Sequence, residues 1–142
     1  MLGHHALIGL LLLAFRDTLI KDIESAEKLF GEFRWELDKH IFIEERVVFR
    51  FCEPLESEIC KIANNLVKEH DVMLGMLNEV KNNLATRNKP DISGFQELLT
   101  THRRVEEEIL YPKLDQRLDK AQKEAIIARI NEIPMKEGSD AI

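Results

Sequence analysis

Cysteine, proline, glycine and tyrosine are all scarce in this chain of 142 residues, which has two, four, six and one of them respectively. So few helix breakers suit a soluble helical protein rather than a turn-rich one. Two cysteines build no disulfide framework; Cys52 and Cys60 flank an expected turn around Pro54 and, with no sign of export, read as reduced thiols. A basic stripe is missing as well. The formal charge is −6 and the Lys and Arg residues are interspersed with acids, which argues against a nucleic-acid partner. The apolar run Ala6–Phe15 is too short to cross a bilayer, has no basic flank before it and is followed by Arg16-Asp17 where a cleavage site would need small residues. It reads as a buried helix, and the chain as a cytoplasmic protein with no membrane partner. The length allows one domain with a core of its own.

What is present is helical periodicity. Positions 4, 8, 11, 15 and 18/19 predict a first helix over about 3–22, and Leu29, Phe33, Leu37, His40, Glu44, Val47/Val48 and Phe51 predict a second over about 25–52, stopped by Glu53-Pro54. Ile59, Leu66, His70, Met73, Leu77, Val80 and Leu84 share the face of a third helix. Asp91 or Ser93, the latter in a Ser-x2-Gln capping box, starts a fourth that runs to Tyr111-Pro112 with Phe95, Leu99, His102, Glu106 and Leu110 on one face. Asp119 caps a shorter helix carrying Ile126/Ile127, Ile130 and Ile133 and closed by Pro134. The expected fold is all-α: an up-down-up-down antiparallel four-helix bundle with a short additional C-terminal helix, as one domain over 1–134 and a flexible tail over 135–142. Leu10 and Leu13 lie outside the first helix's core stripe, which predicts that this face packs on the terminal helix or on a second copy of the chain.

Two pentapeptides repeat the pattern His-x3-Glu, at His40–Glu44 and His102–Glu106. Four residues of α-helix turn through about 400°, so imidazole and carboxylate lie roughly 40° apart on one face. In an antiparallel hairpin, residues equidistant from the turn sit at one height. The midpoints of His4 and His40, of His40 and His70, and of His70 and His102 all fall on expected turns, which places one histidine per helix in a single layer. Glu44 and Glu106 follow one turn along, facing each other. An internal repeat aligns His4–Leu11 with His70–Leu77, glycine on glycine, and selects His4 over His5. Glu45, Glu107 and Glu108 are expected in solvent, and Tyr111 as a structural residue at a helix end.

Burying two carboxylates and four imidazoles costs several kcal/mol per ionised group unless something compensates, and no Lys or Arg shares these stripes at that level. Cations do so, and imidazole with carboxylate suits iron, manganese or zinc. Six ligands, two of them able to bridge, make two metals the natural count, with positions left for a small exogenous ligand.

The pattern His4 … His40-x3-Glu44 … His70 … His102-x3-Glu106, trailed by Glu-Ile-Leu-Tyr-Pro at 108–112, resembles the hemerythrin-like (HHE cation-binding) domain over residues 2–133. The resemblance implies a non-haem di-iron centre with Glu44 and Glu106 bridging, His4 and His40 on one metal and His70 and His102 on the other. It implies a protein that binds or senses O2, nitric oxide, peroxide or iron, without turnover on an organic substrate. Two departures matter. Oxygen carriers of the family have His-x3-His on the third helix and an aspartate on the fourth, whereas this chain has Leu74 and Glu106, which shifts the expectation from stable oxygen carriage towards peroxide or nitric oxide chemistry or sensing. The alternative is an iron-handling, ferroxidase-like or zinc-containing bundle. The Glu-x2-His signature of ferritin-like oxidases is absent, since Leu37, Val67 and Leu99 occupy the third position before the histidines.

Overall fold

The first helix owes its position to a strict three-four spacing of large apolar side chains. In a computed structural model that describes residues 2–52 and 57–132, α1 (Leu2–Lys21) buries Ile8, Leu12, Phe15 and Leu19. By length and composition the segment Gly3–Lys21 is also apolar enough to cross a membrane; here one face of it is committed to the core. Asp22 ends α1 with an extended backbone and caps α2 (Ile23–Ile43), its carboxylate accepting from the Glu24 amide and the Ser25 hydroxyl. A one-residue junction leaves the chain no course but a hairpin. Phe15 accordingly meets Phe30 at 5.5 Å between ring centroids.

After α2 the helix widens into a π-helical turn, Glu44–Val48, and then tightens into a 3₁₀ turn, Phe49–Cys52. Helix α3 (Ser57–Ala85) buries Ile59, Ala63, Leu66, His70, Met73, Leu77, Val80 and Leu84 along a single face. Arg87 beyond it has a φ of 62°, a left-handed backbone of the kind that ends helices, and its guanidinium pairs with Glu27. Asp91 then accepts from the amide and hydroxyl of Ser93 to start α4 (Ser93–Val105). The Ser93–Gln96 capping box does not form, because the Gln96 amide is taken by the Ile92 carbonyl.

Pro112 is not a stop. A second π-helical turn, Glu106–Leu110, leads directly into α5 (Tyr111–Arg117), where the proline sits in the first turn and its missing N–H costs little. Asp119 and Gln122 form a reciprocal capping box for α6 (Lys120–Asn131). Ile126 and Ile130 pack under Val48, Leu114 and their neighbours, so α6 does not cover α1, and Leu7, Leu10, Leu13 and Ile20 of α1 remain exposed. The expected stop at Pro54, the closing Pro134, Ile133 and the 135–142 tail lie outside the described residues. No strand occurs among those described.

The buried side chains form two apolar clusters. One includes Ile8, Phe33, Ile41, Met73 and Leu99. The other includes Ile43, Phe49, Leu66, Leu110 and Leu114. Helices α2 and α3 pass from one cluster to the other, as does α4 with the π-helical turn after it, and each carries a histidine at the crossing, while α1 brings His5 from the edge of the first cluster. The apolar clusters thereby clamp the polar layer between them, and truncating a fully buried aromatic such as Phe33 to alanine is expected to cost about 3–5 kcal/mol.

Candidate metal centre

Both His-x3-Glu pairs end at the α-to-π transition. The Glu44 amide is shared between the carbonyls of His40 and Ile41, and the Phe49 amide reaches back five residues to the Glu44 carbonyl. The second copy does the same: the Glu106 amide is shared between His102 and Arg103, and the Tyr111 amide bonds the Glu106 carbonyl. Inserting one residue into a turn re-aims the side chains that follow, and such bulges concentrate at functional sites. Here the consequence is that Phe49 stacks on the His70 ring (centroids 6.2 Å apart, 3° between planes) and Tyr111 on the His5 ring (5.9 Å, 24°).

Four imidazole Nε2 atoms and the two carboxylates converge in the buried layer. His5 and His40 stand 3.0 Å apart by their Nε2 atoms, and His70 and His102 3.1 Å. Glu44 Oε1 lies 3.3 Å from His40 Nε2 and 3.2 Å from His70 Nε2. Glu106 places Oε1 at 3.1 Å from His5 and Oε2 at 3.4 Å from His102. Each carboxylate therefore touches both histidine pairs. Two overlapping groups result, His5-His40-Glu44-Glu106 and Glu44-His70-His102-Glu106, each with its ligand atoms within 4.8 Å of one another.

The structure brings together five of the six residues expected and exchanges the sixth. His5, not His4, joins the layer. The burial of α1 follows 5, 8, 12, 15, 19, the same spacing as 70, 73, 77, 80, 84 in α3. His4 is rotated outward by one helical position and half-buried, with Nδ1 at 3.1 Å from the His40 Nδ1 and Nε2 at 2.8 Å from Glu36. It supports His40 from behind.

The other three histidines are backed by carboxylates at the outer nitrogen: His5 Nδ1 by Glu107 at 2.7 Å, His70 Nδ1 by Glu45 at 2.6 Å and His102 Nδ1 by Glu69 at 2.8 Å. A carboxylate accepts, so Nδ1 holds the proton and Nε2 presents a lone pair to the interior. This outer support orients a ligating imidazole and raises its basicity. Glu45 and Glu107, expected in solvent, do reach it in part and also bond the outer nitrogens of the layer. Their signal is visible in the sequence, because Glu-Glu follows both His40 and His102 at the same offset. Glu36, Glu69 and the Tyr111 hydroxyl had no such marker.

Facing lone pairs with no acidic hydrogen between them repel, and the carboxylates do not resolve this. Glu44 Oε1 and both oxygens of Glu106 are buried without a hydrogen bond of acceptable geometry. Only Glu44 Oε2 is satisfied, by the Tyr111 hydroxyl at 2.7 Å. Orphaned anionic oxygens opposite imidazole lone pairs are the donor set a divalent cation completes. Burial holds the pKa of His4, of His5 and of His102 below the ordinary value, which keeps these rings neutral at pH 7. Burial alone would raise the Glu44 carboxyl, but the Tyr111 hydroxyl, and the His40 and His70 rings whenever either carries a second proton, outweigh it and hold the group well below the usual range. The same burial, with the Glu44 charge beside it, pushes the Tyr111 phenol up, so it stays a donor.

Beside this layer Ile43 is buried and Phe42 half exposed. Cys52 and Cys60 are free thiols, Cys60 donating to the Cys52 carbonyl, and burial pushes the Cys52 thiol up to about 11.

A family model described as the hemerythrin HHE cation binding domain matches residues 1–129. No curated protein and no solved structure gives a match.

Proposed function

The chain belongs to the hemerythrin HHE cation-binding family, and we propose that it holds two iron ions and uses them to bind or sense O2 or a related small molecule such as nitric oxide or peroxide. The observation that carries this reading is the sharing of Glu44 and Glu106 between the two histidine pairs, with three carboxylate oxygens left for cations. In this reading His5 and His40 would hold one ion and His70 and His102 the other, with Glu44 and Glu106 available to both. The donors present suit iron, with manganese or zinc as the nearest substitutes. Bound iron would supply reversible coordination of a diatomic ligand. The chain's own part is to fix the four Nε2 lone pairs through outer-nitrogen partners, to hold Glu44 through Tyr111, and to exclude bulk water.

Contacts between α1 and α2 (His5 with His40, Phe15 with Phe30), between α2 with its π-helical turn and α3 (Arg34 with Asn78, Glu45 with His70) and between α3 and α4 (Glu69 with His102) support an up-down-up-down course for these four helices. A small ligand is favoured over an organic substrate because the cavity beside the ligands has only about 10 Å³ of free space, room for roughly one water-sized group.

The test is to purify the protein anaerobically, count metals per chain and record the visible spectrum before and after admitting O2 and nitric oxide. Two irons with a spectral response to either gas are expected. Fewer than one metal per chain, unchanged by His70→Ala, would sink the di-metal reading, and two irons blind to both gases would redirect it towards iron handling.

A further inference from the structure

Arg103 lies one residue beyond a ligand histidine, and its guanidinium is engaged by no carboxylate among the described residues. Its Nη1 donates to the His5 carbonyl at 3.2 Å, while its Nε is buried without an acceptor. An arginine does not relieve this by losing its proton, and an unsatisfied charged donor is costly to keep. The space around it is specific. An alanine-like Cβ at Gly9 of α1 would stand 2.9 Å from Arg103 Nη1, so the absence of a side chain at Gly9 makes the notch in which the guanidinium lies. Gly75, its apparent counterpart in α3, meets nothing within 4 Å.

Arg103 borders two cavities. Inward it lines the small space beside His5, His102 and Glu106. Outward it lines a groove of about 440 Å³ between α1 and α4, with Gly9, Leu10, Leu13 and Leu99. The groove walls are largely apolar apart from Gln96 and Thr100, and Arg103 is the charged group among the lining residues, so it would distinguish an anion from a neutral molecule. We infer that Arg103 is the specificity-determining residue at the entrance of the centre, and that it draws small monoanions from the α1–α4 groove towards the metals.

The inference rests on the di-metal reading. Two divalent cations outweigh the two carboxylates between the histidine pairs, Glu36, Glu45, Glu69 and Glu107 stand behind the rings, and the Arg103 guanidinium adds positive charge on the α1–α4 side. It also supplies directed N–H donors, which match an anion's lone pairs. A narrow inner space then admits a diatomic or linear anion end-on and rejects a bulky one.

Azide serves as the probe, with the full chain loaded with cobalt(II), whose visible absorption reports a new ligand. Metal content and thermal midpoint are measured alongside. Wild type is expected to bind azide with an affinity that falls as salt is raised. Arg103→Gln should weaken azide about tenfold at unchanged metal content, and Arg103→Lys should restore most of the loss. Azide affinity within twofold of wild type in Arg103→Gln, with a lowered midpoint, would overturn the inference and leave Arg103 as a clamp between α4 and α1. If Arg103→Gln does not fold, Gly9→Ala decides: its Cβ displaces the flexible guanidinium from the notch, so azide should weaken with cobalt retained, and unaltered azide affinity overturns the inference. Two cobalt ions per wild-type chain with no azide response overturn this inference alone. Fewer than one overturns it together with the di-metal reading.

Discussion

The two halves of the centre are near copies that differ in how each is held. In the half built by α3 and α4, His70 and His102 each lean directly on a carboxylate, Glu45 and Glu69. In the half built by α1 and α2, only His5 does so, through Glu107; His40 leans on His4, which in turn leans on Glu36. The aromatic caps differ as well. Phe49 and Tyr111 occupy equivalent places, five residues after Glu44 and Glu106, and each stacks on a histidine. Only the tyrosine has a hydroxyl, and it pins Glu44, so Glu106 is left with both oxygens free of hydrogen bonds. Duplicated sequence thus yields an asymmetric site, with one anchored carboxylate and one free to shift.

The sharpest way to break this comparison is at the neighbouring histidines of α1. His5→Ala should lose the metal of its half outright, while His4→Ala should keep two metals and weaken that half about 10–100-fold through loss of orientation at His40; elemental analysis and competition with a chelator measure both. Equal metal loss in the two variants would restore His4 as a ligand. Glu45→Gln and Glu69→Gln should each lower affinity in the other half by a similar 10–100-fold, with stoichiometry unchanged at saturating metal. Tyr111→Phe removes the one bond that separates Glu44 from Glu106 and leaves a buried oxygen unpaired, for a loss of about 1–3 kcal/mol by urea unfolding of the metal-free chain. Phe49→Leu removes stacking without any such bond and should cost less than Tyr111→Phe if the hydroxyl is what matters.

Mild acid is the gentlest probe. His4, His5 and His102 have folded pKa values below the ordinary 6.5, so below that pH the unfolded chain binds protons that the folded chain resists. Stability of the metal-free protein should be flat above pH 6.5 and fall as pH drops below it. Glu44, whose folded pKa lies below its ordinary 4.5, adds a second loss only under more acid conditions. A urea midpoint that does not move between pH 7 and 5 would contradict the neutral, buried imidazoles.

Much of the fold was legible because helical period and capping are local. Asp119 caps α6 as its type predicts, Asp91 bonds Ser93 from one residue before the Ile92 N-cap, and apolar spacing marks the buried faces of α2, α3 and α4. The choice between His4 and His5 was harder. Paired with His40, both have a midpoint at residue 22 or between 22 and 23, on the same turn, so hairpin height does not separate them. Aligning Gly9 with Gly75 favoured His4, but the two glycines have different jobs: one makes room for Arg103 and the other for nothing. Matching Ile8, Leu12, Phe15 and Leu19 to Met73, Leu77, Val80 and Leu84 aligns His5 with His70 instead, because large apolar side chains determine which way a helix faces.

The role of Tyr111 is hidden in the sequence for a related reason. Pro112 reads as a helix end, and only the π-helical turn before it carries the chain on and brings the phenol to Glu44.

By itself the sequence determined the helices and the two His-x3-Glu faces, since each depends on residues within one or two turns of each other. Tertiary structure decided which of two readable registers α1 adopts, which carboxylate backs which histidine, and the asymmetry between Glu44 and Glu106. Those depend on contacts between distant helices, where a single residue of rotation, about 100°, exchanges a buried imidazole for a supporting one.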